Sequence, residues 1–160
     1  MIRLATSLAL VLVITLLAGR ASSGPYDYPP APPPPPASSQ PTSPALNAAV
    51  AQAKVAATHA GYAVDGTGVS AVREHLGHAL VCIEGAKGKN VNPAWANPCQ
   101  GMGNGVLVDL ERANAGAALI DKTKEADSST VAAIKSSDLA QMKAAAKQVS
   151  TLMQQVAQGR

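Results

Sequence analysis

Apolar residues between Leu46 and Val156 recur every three or four positions, the interval that places them on one face of an α-helix. No segment of this region alternates β-branched and polar residues as a half-buried strand does. Amphipathic helices with short connections pack most simply as an up-and-down bundle. The pattern therefore predicts an all-α fold, an up-and-down four-helix bundle.

Four helices are predicted, and turn or cap residues mark most of their ends. The segment Asp65–Gly68 ends the first helix, and Gly85 is a natural stop for the second. Asp138, with Gln141 three residues later, is typical of the start of the last helix. The serine-containing segment Asp127–Ser137 is predicted to connect the last two helices. The predicted helices are Leu46–Val64, Val69–Glu84, Val106–Ile120 and Leu139–Val156.

The first 44 residues are predicted to lie outside the bundle. Arg3 precedes a mostly apolar run of about 15 residues that ends in small residues before a cut after Ala21, which is typical of a secretory signal peptide. A membrane-spanning helix needs roughly 20 residues, and an uncleaved anchor is the alternative. The proline-rich segment that follows is predicted to be a disordered, extended tether, or else a ligand for an aromatic groove. The predicted domains are residues 1–21 (signal peptide), 22–44 (tether) and 45–160 (helical bundle domain), with no membrane span once the signal is removed.

The small net charge argues against nucleic-acid binding. The chain carries 13 Lys and Arg residues against 10 Asp and Glu residues, a formal net charge of +3. Arg3 and Arg20 belong to the predicted signal peptide, and without them the net charge is +1. Binding to nucleic acid through counterion release needs several phosphate contacts at once. We therefore expect no nucleic-acid partner.

The two cysteines, Cys82 and Cys99, lie at the ends of the loop that joins the second and third predicted helices. Cysteine pairs in exported chains most often form disulfides. A disulfide here would stabilise an alanine-rich core that has no phenylalanine by roughly 3 kcal/mol in the chain-entropy model. A pair of thiolate metal ligands is the alternative and needs a reducing setting. Trp95 is expected to cover the end of the bundle and anchor this loop, or else to be a stacking platform for a sugar or another ring-shaped ligand.

All three histidines of the chain lie in the first two predicted helices. His75 and His78 are three residues apart and project from neighbouring positions of one helix face, with Cys82 one turn further on. The short turn makes the two helices adjacent and antiparallel, and a rise of about 1.5 Å per residue brings His59 to a depth similar to that of His75. A metal site of His59, His75 and His78 is therefore predicted, with Tyr62 at its border and the disulfide stiffening it. Solvated residues at a helix edge are the alternative interpretation.

Neutral imidazole suits zinc, copper or nickel, and three such ligands leave one coordination position open. Glu74 points about 100° away from His75 around the helix and is a poor fourth ligand. Covalent haem attachment is not expected, because the Cys-x-x-Cys-His motif is absent from the chain. Non-covalent haem with His and Met ligands is a further alternative, which we do not favour. Met142 and Met153 lie on the core face of the last predicted helix, where methionine usually packs rather than binds.

The motifs "EHLGHALVCIEGAKGKN" and "NPCQGMGNGVLVDL" together resemble a group of small exported bacterial proteins built from alanine-rich helices. The shared pattern is a helical histidine pair, a cysteine one turn on, a Gly-rich loop, and Asn97-Pro98-Cys99 followed by glycines. In outline these proteins are similar to the small metal-binding protein type, which binds divalent metals in the periplasm through many helical histidines. The resemblance covers roughly Thr58 to Leu110. It implies an exported helical fold and, with only three histidines, a single metal site.

The sequence as a whole predicts an exported protein of the cell envelope, periplasmic or secreted, that binds one divalent transition metal ion. The alternative is a structural or protein-interaction module without metal, which meets an envelope protein partner through the surface of the bundle. No serine or cysteine nucleophile stands in a recognisable motif with a base. The glycines of Gly101–Gly105 lack the lysine and hydroxyl of a phosphate-binding loop. We therefore do not expect an enzyme.

Overall fold

The computed structural model describes residues 43–160, which form five α-helices and no β-strand. The helices are α1 (Pro44–Asp65), α2 (Val69–Glu84), α3 (Val106–Arg112), α4 (Ala117–Lys135) and α5 (Leu139–Ala157). Helix α1 packs against α2, α3 and α5, while α4 packs against α2 and α5. The all-α fold class is therefore confirmed for this part of the chain, with five helices where four were predicted.

The core is built around the alanine face of α1. A methyl side chain is small, so the neighbouring helices can approach this face closely and fill the space with their own larger side chains. The large apolar residues that are fully buried come from α2, α3 and α5. They include Leu76, Leu80, Ile83, Leu110, Met142 and Met153. The buried alanines of α1 are Ala49, Ala53, Ala56, Ala57, Ala60 and Ala63.

The first two helices lie where the sequence predicts them. The Ser43 hydroxyl accepts a hydrogen bond from the Leu46 amide at 3.1 Å, and Pro44 occupies the first helical position, where its missing amide hydrogen has no cost. Helix α1 thus begins at the last residue of the predicted tether. Helix α2 has the predicted bounds, Val69–Glu84, and Gly85 ends it with a positive φ of 84°.

The last helix also begins as predicted. The Asp138 carboxylate accepts hydrogen bonds from the amides of Ala140 at 2.9 Å and Gln141 at 3.1 Å. These bonds satisfy two amides that have no partner within the first turn of a helix. The N-cap assignment of Asp138 is therefore confirmed.

The third predicted helix, Val106–Ile120, is wrong as one element, because the chain breaks into α3 and α4. Asn114 adopts a left-handed conformation with φ of 49°. Its amide donates to the Glu111 carbonyl, and the Ala115 amide donates to the Leu110 carbonyl, both at 3.0 Å. This pair of bonds is a Schellman motif, which ends a helix and is tolerated by asparagine at the left-handed position.

The segment Asp127–Ser137 is not the connection that the sequence predicted, because α4 continues through it to Lys135. The threonine side chains of α4 are compatible with a buried helix face because they bond to the backbone of their own helix. The Thr123 hydroxyl donates to the Leu119 carbonyl at 2.8 Å, and the Thr130 hydroxyl donates to the Ala126 carbonyl at 2.6 Å. The buried face of α4 consists of Thr123, Ala126, Thr130 and Ala133.

A disulfide joins Cys82 at the end of α2 to Cys99 in the following loop, with 5.4 Å between their Cα atoms. The predicted disulfide-stapled loop between helices two and three is therefore confirmed. The two ends of this loop also touch through backbone, since a Cβ on Gly105 would lie 2.5 Å from the Gly85 amide nitrogen. Both glycines have positive φ, so side chains here would meet both strain and collision.

A buried polar cluster of Gln52, Asn104, Gly105 and Asp109 fastens the end of the loop to α1 and α3. The Gln52 side-chain amide donates to Asp109 at 2.7 Å, and its oxygen accepts from the Gly105 amide at 2.8 Å. The Asp109 carboxylate also accepts from the Asn104 amide at 2.8 Å and from the Asn104 side chain at 3.1 Å. Gln52 and Asp109 are almost completely buried, with 1% and 2% of their surface exposed. Every side-chain oxygen and nitrogen of these two residues has a partner.

The predicted signal peptide, residues 1–21, and nearly all of the predicted tether, residues 22–44, lie outside the residues that the structure describes. Within residues 43–160, none of the helices combines the length and the apolar character that a membrane crossing requires.

Candidate metal centre

The turn between α1 and α2 sets the two helices side by side and brings their histidines to one place. Gly66 ends α1 and Gly68 precedes α2, so only three residues separate the helices. A Cβ on Gly66 would approach the Val72 side chain to 2.8 Å, which shows how closely the turn folds against α2. His59 projects from α1, while His75 and His78 project from α2 one helical turn apart.

The three imidazole rings form a compact triangle. The ring centroids of His59 and His78 are 5.1 Å apart, and those of His59 and His75 and of His75 and His78 are each 6.0 Å apart. One nitrogen from each ring can be chosen so that all three atoms lie within 4.8 Å of one another. The structure thus places together the three histidines that the sequence singled out, close enough to hold a metal ion.

Each histidine of this triangle has a buried nitrogen without a hydrogen-bond partner. The Nδ1 atoms of His59, His75 and His78 are shielded from solvent and bond to no protein atom. Buried polar groups in folded proteins normally have partners, and an unpaired one calls for a specific reason. Three unpaired nitrogens in one cluster are what a site for a bound ligand provides, because the ligand supplies the missing interactions.

The electrostatics of the triangle favour uncharged imidazole at His59 and His78. Burial lowers the pKa of His59, and the neighbouring His78 and His75 lower it further. Burial also lowers the pKa of His78, with Glu74 opposing the change and His75 adding to it. Like charges at this spacing repel one another, so His59 and His78 hold a proton more weakly than an isolated histidine does. Neutral imidazole is also the form that binds metal ions.

Among the described residues, no further strong metal ligand lies beside the triangle. Cys82, one turn beyond His78, is fully buried and bonded to Cys99, so it is not available as a thiolate. Glu74 is exposed and does not belong to the group of side chains that could share one ion. The alternative of two cysteine ligands is therefore wrong for this oxidised chain.

Trp95 anchors the stapled loop on the side of α2 rather than at the end of the bundle. A Cβ on Gly77 would lie 2.5 Å from two carbons of the indole, so the ring occupies the space that a side chain would fill. Gly77 stands between Leu76 and His78 in the helix. The sequence signal for this contact is the glycine inside a helix, which often marks a close approach.

Tyr62 lies at the edge of the triangle, as predicted from its position one turn after His59. Its ring centroid is 5.6 Å from that of His59 and 5.6 Å from that of His75. The side chain is 52% exposed, so the phenol stands between the two rings and solvent. The site therefore has a buried side, where the Nδ1 atoms lie, and an open side bordered by a tyrosine.

A second titratable pair, Glu84 and Asp127, escaped the sequence analysis because Asp127 was assigned to a loop. Burial raises the pKa of Asp127 to about 6, and the hydrogen bond and charge of Glu84 add to this, while Lys89 opposes it. Glu84 in turn accepts hydrogen bonds from the backbone amide and the side chain of Asn90. Glu84 is thus bonded to the loop that follows α2, while Asp127 faces it from α4, and the pair is separate from the histidine triangle.

No protein-family model, curated protein or solved structure matches the chain. The chemistry of the site must therefore follow from its own residues. Three imidazoles on two packed helices form a set of nitrogen donors. No thiolate is available and no carboxylate belongs to the group among the described residues. Such a set is suited to borderline transition metals rather than to calcium or magnesium, which prefer oxygen.

Proposed function

We propose that this protein binds one divalent transition metal ion through His59, His75 and His78. The observation that carries the proposal is the convergence of three imidazoles whose buried Nδ1 atoms have no partner. Imidazole nitrogens bind zinc at about 2.0–2.1 Å, so two donors on one ion lie at most about 4.2 Å apart. Small side-chain rotations suffice to bring atoms that lie within 4.8 Å of one another to this separation.

Zinc, copper and nickel are the ions that fit this donor set best. All three bind neutral imidazole, and their relative affinities for one nitrogen site follow a general order with copper highest. Three histidines in the whole chain provide for one such site. The proposed role is thus the binding of a single ion rather than high-capacity storage. We infer a binding function rather than an enzymatic one, since the sequence contains no recognisable nucleophile motif.

The proposed compartment is the cell envelope or the exterior. A structural disulfide such as Cys82–Cys99 is typical of an oxidising environment. The apolar segment near the N-terminus has the composition of an export signal, and the resemblance to small exported alanine-rich proteins supports the same view. We propose a periplasmic or secreted location, with the proline-rich segment as a tether.

Calorimetric titration of the oxidised chain with zinc, copper and nickel tests the binding. We expect one equivalent of ion with affinity better than micromolar. His75→Ala and His78→Ala should each weaken binding at least about tenfold, which corresponds to 1.4 kcal/mol. Thr58→Ala is a matched control, because Thr58 is exposed and adjacent to His59 but belongs to no ligand group.

The opposite results have a clear meaning. Affinity no better than micromolar for all three ions, or affinity that is unchanged in the histidine variants, would contradict the proposal. An interaction module of the envelope would then be the better interpretation. Capture of a protein partner that survives both chelation and the histidine substitutions would support that alternative.

A further inference from the structure

The proposed metal site offers an ion three donors from one side. Among the described residues, no carboxylate or sulfur atom joins the three histidines within the 4.8 Å that defines the cluster. The nearest sulfur along α2 belongs to the disulfide. Zinc and related ions bind at least four donors, and three protein ligands with one open position are the usual arrangement where a small molecule must reach the ion.

The charge of such a complex determines which donor the open position prefers. Three neutral imidazoles do not offset the charge of a divalent ion. Glu74 is the acidic residue whose charge acts on His78, but it is exposed and outside the ligand group. A residual positive charge in a partly buried site, where the dielectric constant is lower than in water, attracts an anion.

Tyr62 borders the side of the site that is open to solvent. Its ring contacts those of His59 and His75, and about half of its surface is exposed. The phenol hydroxyl is a hydrogen-bond donor. A ligand that enters from solvent therefore passes beside a hydroxyl donor, which stabilises an anion without filling the coordination position itself.

We propose that the metal-loaded site binds one small anion at the open coordination position, with the Tyr62 hydroxyl donating a hydrogen bond to it. The inference rests on the proposed function, because the position exists only when an ion is bound. The chemical class is a small monodentate anion that bonds to the metal through one atom. Tyr62 acts as a specificity-determining residue for the second ligand and not as a metal ligand.

Azide titration of the cobalt-loaded, oxidised full chain tests the proposal, because cobalt(II) replaces zinc and its visible absorption changes when a ligand is added. We expect a saturable change with one azide per cobalt. Tyr62→Phe keeps the ring against the two histidines and removes only the hydroxyl, so it should weaken azide binding roughly tenfold. Cobalt affinity should stay within about twofold of that of the unaltered chain, since Tyr62 is not a ligand.

Thr58→Ala is the control, because it removes a hydroxyl from an exposed position of the same helix. It should leave azide binding unchanged. Cobalt binding without any response to azide would overturn the inference and leave the proposed metal function standing. Equal azide affinity in Tyr62→Phe and the unaltered chain would overturn the role of Tyr62. Failure of the chain to bind cobalt, zinc, copper or nickel would defeat both proposals.

Discussion

Helix α1 carries two polar residues, Gln52 and His59, on one face and seven positions apart. The polar atoms of Gln52 have hydrogen-bond partners, while Nδ1 of His59 has none. At Gln52, the buried polar cluster pairs every side-chain donor and acceptor of Gln52 and Asp109. At His59, two turns further along the helix, three Nδ1 atoms are buried and unpaired. A satisfied cluster needs no ligand and holds the fold together. The three unpaired nitrogens of the histidine triangle are the observation on which the proposed metal site rests.

The largest loss of stability is expected in the buried polar cluster. Asp109→Ala leaves the buried Gln52 amide and the Asn104 donors without their acceptor. Leaving a buried donor without its acceptor costs about 1–3 kcal/mol, and three donors lose their acceptor here, so the free energy of unfolding should fall by about 3–5 kcal/mol. Urea unfolding measures this loss. Glu111→Ala, on the exposed side of α3, should change stability by no more than about 0.5 kcal/mol.

Removing the disulfide tests whether the bond mainly stabilises the fold or mainly supports the metal site. Replacing both Cys82 and Cys99 with alanine frees a loop whose ends are 17 residues apart. The chain-entropy model predicts a loss of about 3 kcal/mol. Zinc affinity of the folded variant should fall less than in His78→Ala, because no ligand is removed. If the free energy of zinc binding fell by more than the free energy of unfolding, the disulfide would be shown to support the site more than the fold.

Zinc should raise the unfolding temperature only of variants in which the histidine triangle is intact. Ligand that binds the folded state alone adds about 2.7 kcal/mol when its free concentration is 100 times the dissociation constant. Thermal unfolding with and without zinc measures this increment. The increment should vanish in the double variant His75→Ala, His78→Ala and persist in Thr58→Ala. An equal increment in the histidine variants would show that the ion binds elsewhere.

The smallest expected effect concerns Asp127. Its folded-state pKa of about 6 is above the ordinary 3.8, so the stability that this carboxyl contributes is present below pH 3.8 and lost as the pH rises through 6. Asp127→Asn should therefore be more stable than the unaltered chain at pH 7.5, by roughly 1 kcal/mol because solvent reaches the group. At pH 3.5 the two should unfold alike.

Asp121→Asn is the matched control for this pH effect, since Asp121 is exposed on the same helix. Its unfolding free energy, relative to the unaltered chain, should not depend on pH between 3.5 and 7.5. A gain at pH 7.5 in both variants would assign the effect to the net charge of the protein rather than to the Glu84–Asp127 pair.

The sequence predicted what depends on local spacing and on caps. Helices α1, α2 and α5 follow from apolar periodicity with Asp138 and Gly85 at their ends, and the depth of His59 follows from the rise per residue. The break at Asn114 was missed because the helical pattern of apolar residues passes through it, while a Schellman motif ends the helix. The serine and threonine residues of α4 suggested a loop, although buried threonines can bond to the carbonyl four residues before.

Contacts between distant residues were beyond the reach of these patterns. Gln52 and Asp109 are 57 residues apart, and no spacing rule relates two polar residues on separate helices. Trp95 could be assigned to the bundle but not to Gly77, because the path of an irregular loop is not encoded in periodicity. The histidine site was predictable because a three-residue turn fixes the relation of its two helices.

All three histidines are proposed to bind the same ion, and NMR of their imidazole nitrogens follows each ring separately. The chain contains only these three histidines, so each ring gives its own signals when no tag is present. On titration with zinc, the nitrogen signals of His59, His75 and His78 should all shift, and every shift should be complete at one equivalent. Shifts in only one or two rings, or shifts that continue well beyond one equivalent, would contradict a single three-histidine site.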